Sequence, residues 1–241
     1  MLEALIFDVD GTLAETEEAH RAAFNQAFAE LDLPWRWDPP LYARLLAVSG
    51  GRERLRHYAE TCDPQRAGPD CAPLLAALHR RKTEIYTAMV RDNAVPFRPG
   101  VVALSLAARA AGLRLAVATT TSRANVLALF DGTGGDAHAW FETLACADDA
   151  PRKKPDPAVY RVALERLGLP PRSCLAIEDS ANGVGAALAA GLPVVATRGA
   201  YTANDDLSGA LAVFPDLAAV SLADLQGLWQ RTAPHPPPGP P

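Results

Sequence analysis

Two spacings of apolar residues alternate along this chain. The first is a short, nearly unbroken run: "LIFDV" (5–9), "LRLAVATTT" (113–121), "ETLACADD" (142–149), "SCLAIEDS" (173–180) and "LPVVATRG" (192–199). Runs of this length without polar alternation predict strands buried on both faces. The second is a stripe with a helical period, in "VVALSLAARAAG" (101–112), "PAVYRVALERLG" (157–168) and "ANGVGAALAAG" (181–191). Gly112, Gly168 and Gly191 stand where each of these helices should stop. Strand and helix in alternation predict an α/β fold with a parallel sheet and right-handed crossovers.

Residues 16–92 break this rhythm. Phe24, Phe28 and Leu31 recur at helical spacing, "PLYARLLAVSGGRERLRHYAE" reads as helix on both sides of a glycine pair, and "LLAALHRRKTEIYTAMV" is amphipathic. No strand is predicted there, so a helical insertion after the first strand splits the α/β domain into 1–15 and 93–233. The tail "PHPPPGPP" (234–241) lacks the amide donors for helix or sheet and is expected to be disordered.

Composition narrows the function classes. With 49% apolar and 21% charged residues over 241 positions, the chain has the make-up of a globular protein with a sizeable core. The 23 basic residues against 28 acidic ones give a formal charge of −5, which argues against general affinity for nucleic acid or an anionic membrane. Cys62, Cys71, Cys146 and Cys174 form no CxxC pair and read as reduced thiols rather than zinc ligands. Glu3 and Asp8 precede any long apolar stretch, so no secretory signal or membrane span is expected. The expected location is the cytoplasm, or the plastid stroma in a photosynthetic eukaryote.

In an open parallel sheet, ligands bind beyond the carboxyl ends of the strands. Polar residues gather there: Asp8 and Asp10 after the first run, Thr119 to Ser122 after the second, Lys153 and Lys154 after the third, and Glu178 and Asp179 after the fourth. Carboxylates suit a hard cation, hydroxyls and amides suit anion oxygens, and a lysine offsets the remaining charge. Phosphoryl transfer needs this set, because its loose transition state asks mainly for positioning and neutralisation. An EF-hand is the other reading of D-x-D-G, but Ala19 occupies the twelfth position, where that loop needs glutamate.

"DVDGT" (8–12), Thr119 after "LAVA", "KKPDP" (153–157) and "IEDSANG" (177–183) resemble, in order and spacing, the four motifs of the haloacid dehalogenase-like phosphohydrolases. The likeness runs from residue 5 to about 200 and implies a Rossmann-like core with a small all-α cap, here 16–92. "DVDGTLAETEEAHRAAFN", "RPGV" and "EDSANGV" look most like the CbbY group, related to β-phosphoglucomutases. That resemblance implies a Mg²⁺-dependent sugar-phosphate phosphatase; a monomer is expected, though nothing in the sequence fixes the oligomeric state. For CbbY itself the implied substrate is xylulose-1,5-bisphosphate, a Rubisco inhibitor, whose hydrolysis gives xylulose 5-phosphate.

By the same resemblance Asp8 is the nucleophile that forms an aspartyl-phosphate, and Asp10 protonates the leaving oxygen and then deprotonates water. Mg²⁺ would be held by Asp8, the backbone carbonyl of Asp10 and Asp179, with Glu178 either ligand or support. Thr119 and Thr120 would bind the phosphoryl oxygens, Thr121 and Ser122 serve the loop and a helix cap, and Lys154 rather than Lys153 would neutralise the site. Glu17 and His20 would contact the sugar. Gly50, Gly51 and Arg52 can wrap a second phosphate, or form a polar turn with a surface arginine. Lys82 can reach the same phosphate, or belong with Arg80 and Arg81 to a solvated basic face. A mutase would return phosphate from Asp8 to sugar, and Thr12 and Glu15 tilt the reading toward hydrolysis. A non-catalytic receiver or binding module is the alternative of another class, against which Asp10 and the insertion argue. A dehalogenase would lack the second acidic residue of the first motif.

Overall fold

A computed structural model describes residues 1–93, 95–133 and 136–232 of the chain. The proline-rich tail lies outside the described residues. Six strands, β1 (Ala4–Phe7), β2 (Arg114–Ala118), β3 (Thr143–Ala145), β4 (Cys174–Glu178), β5 (Val194–Thr197) and β6 (Val213–Phe214), form one parallel sheet in the order β3-β2-β1-β4-β5-β6. The chain leaves β1 at the centre, builds one half to β3 and the other to β6. The carboxyl edge beside β1 is therefore where the order reverses and where a crevice opens.

Side chains of β1 alternate between the faces as strand geometry requires. Leu5 and Phe7 join Leu115, Val117, Leu175 and Ile177 on one face. Ala4 and Ile6 join Ala116, Ala118 and Ala176 on the other. The first face carries α5 (Val101–Ala110), α6 (Arg123–Gly132) and α9 (Leu222–Gln230). The second, rich in alanine, carries α7 (Ala158–Leu167) and α8 (Ala181–Ala189), whose own Ala163, Ala186 and Ala187 complete a core of small residues. Gly112, Gly168 and Gly191 all have positive φ, so the three helices named by the sequence end in left-handed residues. The two-residue edge strand β6 closes a short apolar run, Ala210 to Phe214, that the alternation did not assign; as an edge strand it is only half covered, with Val213 exposed. Helices α6 and α9 lay in stretches that the alternation did not assign.

Between β1 and α5 the described residues form helices α1 (Glu17–Glu30), α2 (Pro39–Leu45), α3 (Gly51–Cys62) and α4 (Ala72–Asn93), with short 3₁₀ turns and no named strand. They hold their own cluster, in which Phe24, Phe28, Trp35, Trp37, Tyr42, Leu55 and Leu78 are buried together. Trp37 lies 4.6 Å from Phe24 and 5.0 Å from Phe28, ring centre to ring centre. The chain leaves and re-enters the sheet domain at adjacent points: Ala14 bridges Phe97, and the Arg98 N–H donates to the Leu13 carbonyl at 2.8 Å. The helices thus overhang the carboxyl end of β1.

Candidate active site

Asp8 directly continues β1, its N–H donating to the Ile177 carbonyl at 3.0 Å. Three residues on, Gly11 turns the chain at φ +83°. A Cβ there would stand 2.1 Å from Asp179 Oδ2, so only glycine lets the first-motif loop close on the fourth. Lys154 Nζ spends its three donors on Asp8 Oδ1 (2.6 Å), Glu178 Oε1 (2.5 Å) and the Ala118 carbonyl (2.9 Å). It stays protonated: burial opposes its charge, but Asp8 and Glu178 overcome that and lift its pKa above the ordinary lysine value. Lys153 instead donates to the Ala147 carbonyl at 2.8 Å, so of the two neighbours Lys154 is the one at Asp8.

Oxygens of Asp8, Glu178 and Asp179 lie within 4.8 Å of one another. Three carboxyls face one ammonium, and the excess negative charge shows in their protonation. Burial, with Glu178 and Asp10, pushes Asp8 up to about 8 against the pull of Lys154. Burial also raises Asp179 well above the carboxylate range, with Asp8 and Glu178 adding to it. Hard oxygen donors with uncompensated charge fit Mg²⁺. Asp179 is fixed for such a role by Thr202, whose hydroxyl donates at 2.7 Å, and by Gly11 and Gly199, which leave no room on either side. Glu178 sits beneath: it also accepts from Tyr160 Oη at 2.6 Å, presses against Gly183, and does not line the cavity above.

The Asp10 side chain turns away from this group. It accepts from the Thr16 hydroxyl and lies 3.1 Å from His20 Nε2. Burial acts to raise its pKa, yet His20 and Thr16 hold it down to about 2. The other imidazole nitrogen, Nδ1, is 2.5 Å from Lys82 Nζ, and the ring stacks on Tyr86 with centres 3.9 Å apart. An ammonium donating to Nδ1 leaves the proton on Nε2, directed at Asp10. Burial and then Lys82 lower the His20 pKa in keeping with that neutral form. Lys82 is itself lowered to about 7, by burial more than by Arg54. Lys82 therefore points inward, while Arg81 pairs outside with Glu30 and Glu84.

A cavity of about 720 Å³ opens over these groups, between the sheet edge and the helices. Asp8, Asp10, Glu17, His20, Lys82, Thr120, Lys154 and Asp179 line it, as do Gly50, Gly51 and Arg52 on its far side. Thr119 lies just below, its Oγ1 accepting the Thr121 N–H at 3.2 Å. Ser122 caps α6 through the Asn125 N–H. Glu17 is held by Tyr42 Oη at 2.7 Å. Arg52 is exposed at the rim, whereas Arg54, 7% exposed, projects inward and is steadied by the Tyr42 hydroxyl (3.0 Å) and the Leu45 carbonyl (3.2 Å). His79 also faces the cavity, held neutral at about 4 by burial and by Lys82 and Arg52. Arg54, His79, Thr16, Thr202, Tyr160 and Asn125 were not singled out in the sequence. Asn125 is buried at the cavity with Oδ1 unpartnered, its Nδ2 donating to Thr121 Oγ1.

A family model described as haloacid dehalogenase-like hydrolase matches residues 2–191. The chain is 50% identical over 218 residues to a plasmid-borne protein CbbY of Cupriavidus necator, covering 90% of this chain and 86% of that one. It is 49% identical over 224 residues to protein CbbY of Rhodobacter capsulatus, covering 91% and 96%. The crystal structure of CbbY from Rhodobacter sphaeroides in complex with phosphate superposes with a TM-score of 0.87 at 43% identity, covering 94% of this chain and all of that one. A mutant of the same protein in complex with xylulose-(1,5)bisphosphate matches equally well, covering 93% and 99%. The chain belongs to the haloacid dehalogenase-like hydrolases, in their CbbY group, and is a phosphatase.

Proposed function

We propose that this phosphatase is Mg²⁺-dependent and hydrolyses sugar bisphosphates, with xylulose-1,5-bisphosphate as substrate and xylulose 5-phosphate as product. One observation carries the reading: the cavity has two ends of opposite character. At the sheet edge stand the acidic group and Lys154. At the helical end, where Glu17 and Glu53 also line the cavity, stand Arg52, Arg54 and, against Gly50, Lys153, none of which forms an ion pair among the described residues. Three unpaired cations across a cavity from a phosphoryl-transfer site suit a second phosphate that is bound and not transferred. The sugar bisphosphate bound by the R. sphaeroides CbbY mutant has that form.

In this reading Asp8 Oδ attacks phosphorus and the sugar oxygen leaves with a proton from Asp10. Water then attacks the aspartyl-phosphate, Asp10 takes its proton, and phosphate and Asp8 are regenerated. At rest Asp10 is ionised, so its proton enters from His20 Nε2 as Lys82 passes one to Nδ1, and the proton that Asp10 takes from water returns along the same path to restore the resting state. Lys154 offsets charge on Asp8 and the phosphoryl oxygens, and the Thr119 hydroxyl and Thr120 amide orient them. Asp8, the Asp10 carbonyl and Asp179 would hold Mg²⁺, which supplies charge neutralisation when bound. Helices α1–α4, residues 16–92, act as the cap over a core of 1–15 and 93–233, and Glu17 and His20 meet the sugar. In the same reading the enzyme works in the cytoplasm, as a monomer, on a small molecule.

The test is phosphate release from pentulose and hexose mono- and bisphosphates, with Mg²⁺ and with EDTA, and identification of the sugar product. Xylulose-1,5-bisphosphate should rank first and chelation should stop turnover. Turnover that survives EDTA, or equal kcat/KM for mono- and bisphosphates, would refute the proposal; an isomerised sugar phosphate without free phosphate would make the enzyme a mutase.

A further inference from the structure

Arg98 is a buried cation for which neither the acidic site nor the cation set has a use. It is 8% exposed and stands where the chain returns from the helices to the sheet domain. Its one carboxylate partner among the described residues is Glu15, whose side chain is 41% exposed, at 3.1 Å from Nε. Every other bond goes to a neutral acceptor: the Gly11 carbonyl and Thr197 Oγ1 (2.9 Å) from one nitrogen, the Arg198 (2.6 Å) and Pro215 (3.1 Å) carbonyls from the other. Burying a charge is costly, and salt bridging to a half-exposed glutamate does not repay it. What the guanidinium fork achieves is geometric: it fastens the first-motif loop to the ends of β5 and β6.

The fastened atoms flank the acidic group. Gly11 N–H donates to the Ala14 carbonyl at 2.8 Å, which sets the plane of the Asp10–Gly11 peptide from one side. Arg98 grips the Gly11 carbonyl and so sets the next peptide plane. Together they fix where the Asp10 carbonyl points. The Arg198 carbonyl that Arg98 also holds precedes Gly199, which with Gly11 forms the slot for the Asp179 carboxylate. We propose that Arg98 is a positioning residue that fixes the Asp10 carbonyl and the Asp179 slot, and thereby sets the affinity of the site for its divalent cation. The proposal rests on the metal reading given above.

Charge alone predicts the opposite sign. Removing a cation near an acidic group would tighten a divalent ion, whereas releasing the two walls would loosen it. Direct Mn²⁺ binding, followed by electron paramagnetic resonance without substrate, reads this independently of turnover. Arg98→Met should weaken Mn²⁺ by roughly ten- to a hundredfold, the range for groups that orient metal ligands. Arg98→Lys keeps the charge but loses the fork and should fall between Met and wild type; Thr197→Val, which removes one acceptor, should weaken Mn²⁺ by a few-fold. Excess Mg²⁺ should restore kcat in each. If Arg98→Met does not fold, Arg98→Lys and Thr197→Val carry the test. Folded variants that bind Mn²⁺ as tightly as wild type, or more tightly, would overturn the proposal and leave the metal reading standing. A wild type that takes no Mn²⁺ would remove the metal reading and the role of Arg98 with it.

Discussion

Binding of Mg²⁺ to this protein should release close to one proton from Asp8 at neutral pH. With its carboxyl pushed up to about 8 by burial and by Glu178 and Asp10, Asp8 is about 90% protonated at pH 7 in the metal-free state. A hard cation takes the carboxylate, so roughly 0.9 proton should leave, and the raised Asp179 adds to the total. Below pH 8 the apparent affinity for Mg²⁺ should drop about tenfold per pH unit on account of Asp8 alone. Titration calorimetry in two buffers of different ionisation enthalpy measures the proton count directly. The same shift bears on stability. A carboxyl raised in the folded state contributes stability that is present below about pH 4 and lost as pH rises through about 8. The melting temperature of the metal-free protein should therefore fall from pH 6 to pH 8, and fall less in Asp8→Asn, each kcal/mol being worth about 2–4 °C at this size. Heats that do not depend on the buffer, with affinity flat from pH 6 to 8, would refute the reasoning. They would mean that Lys154 alone keeps Asp8 ionised.

Three further outcomes follow from the geometry. Asp10→Asn should slow sugar phosphates by about 10²–10⁴ while sparing aryl phosphates, whose leaving group needs no proton; equal slowing of both, in steady-state kinetics, would remove the proton-transfer role. Activity toward sugar phosphates should decline as pH rises through about 7, because Lys82 then loses the proton that reloads His20, and Lys82→Met should lower kcat and flatten that limb of the pH–kcat/KM profile. Arg54→Met should lower kcat/KM for xylulose-1,5-bisphosphate roughly ten- to a hundredfold, as for a lost charge-assisted contact of about 1.5–3 kcal/mol, and change an aryl ester little. The exposed Arg52→Ala should cost less, and the reverse ranking would put the second phosphate at the rim.

The contrast between those two arginines separates what a helical period carries from what a loop motif carries. Strand ends and motif spacing brought Asp8, Lys154 and Asp179 to one edge, because a parallel sheet leaves its carboxyl-end residues little choice of direction. Helical residues carry direction only through their period. In α3, Gly51, Arg54, Leu55 and Tyr58 fall at i, i+3, i+4 and i+7, and Leu55 is buried, so Arg54 belongs to the inward face and Arg52 does not. In α4, Leu75, Leu78, Lys82, Ile85 and Tyr86 share one stripe, which settles Lys82 against Arg80 and Arg81 by the same rule. Both facts lie in the helical period of the sequence and not in the glycine pair that precedes Arg52. No such rule reaches Thr16, Thr202 or Arg98. Thr202 meets Asp179 from 23 residues away, and Arg98 meets Gly11 from 87. Such contacts depend on how loops close over the sheet edge, and a polar residue in a loop has no period to announce its partner. The parts of the site held by strands and helices were therefore legible, and the parts that fix its geometry were not.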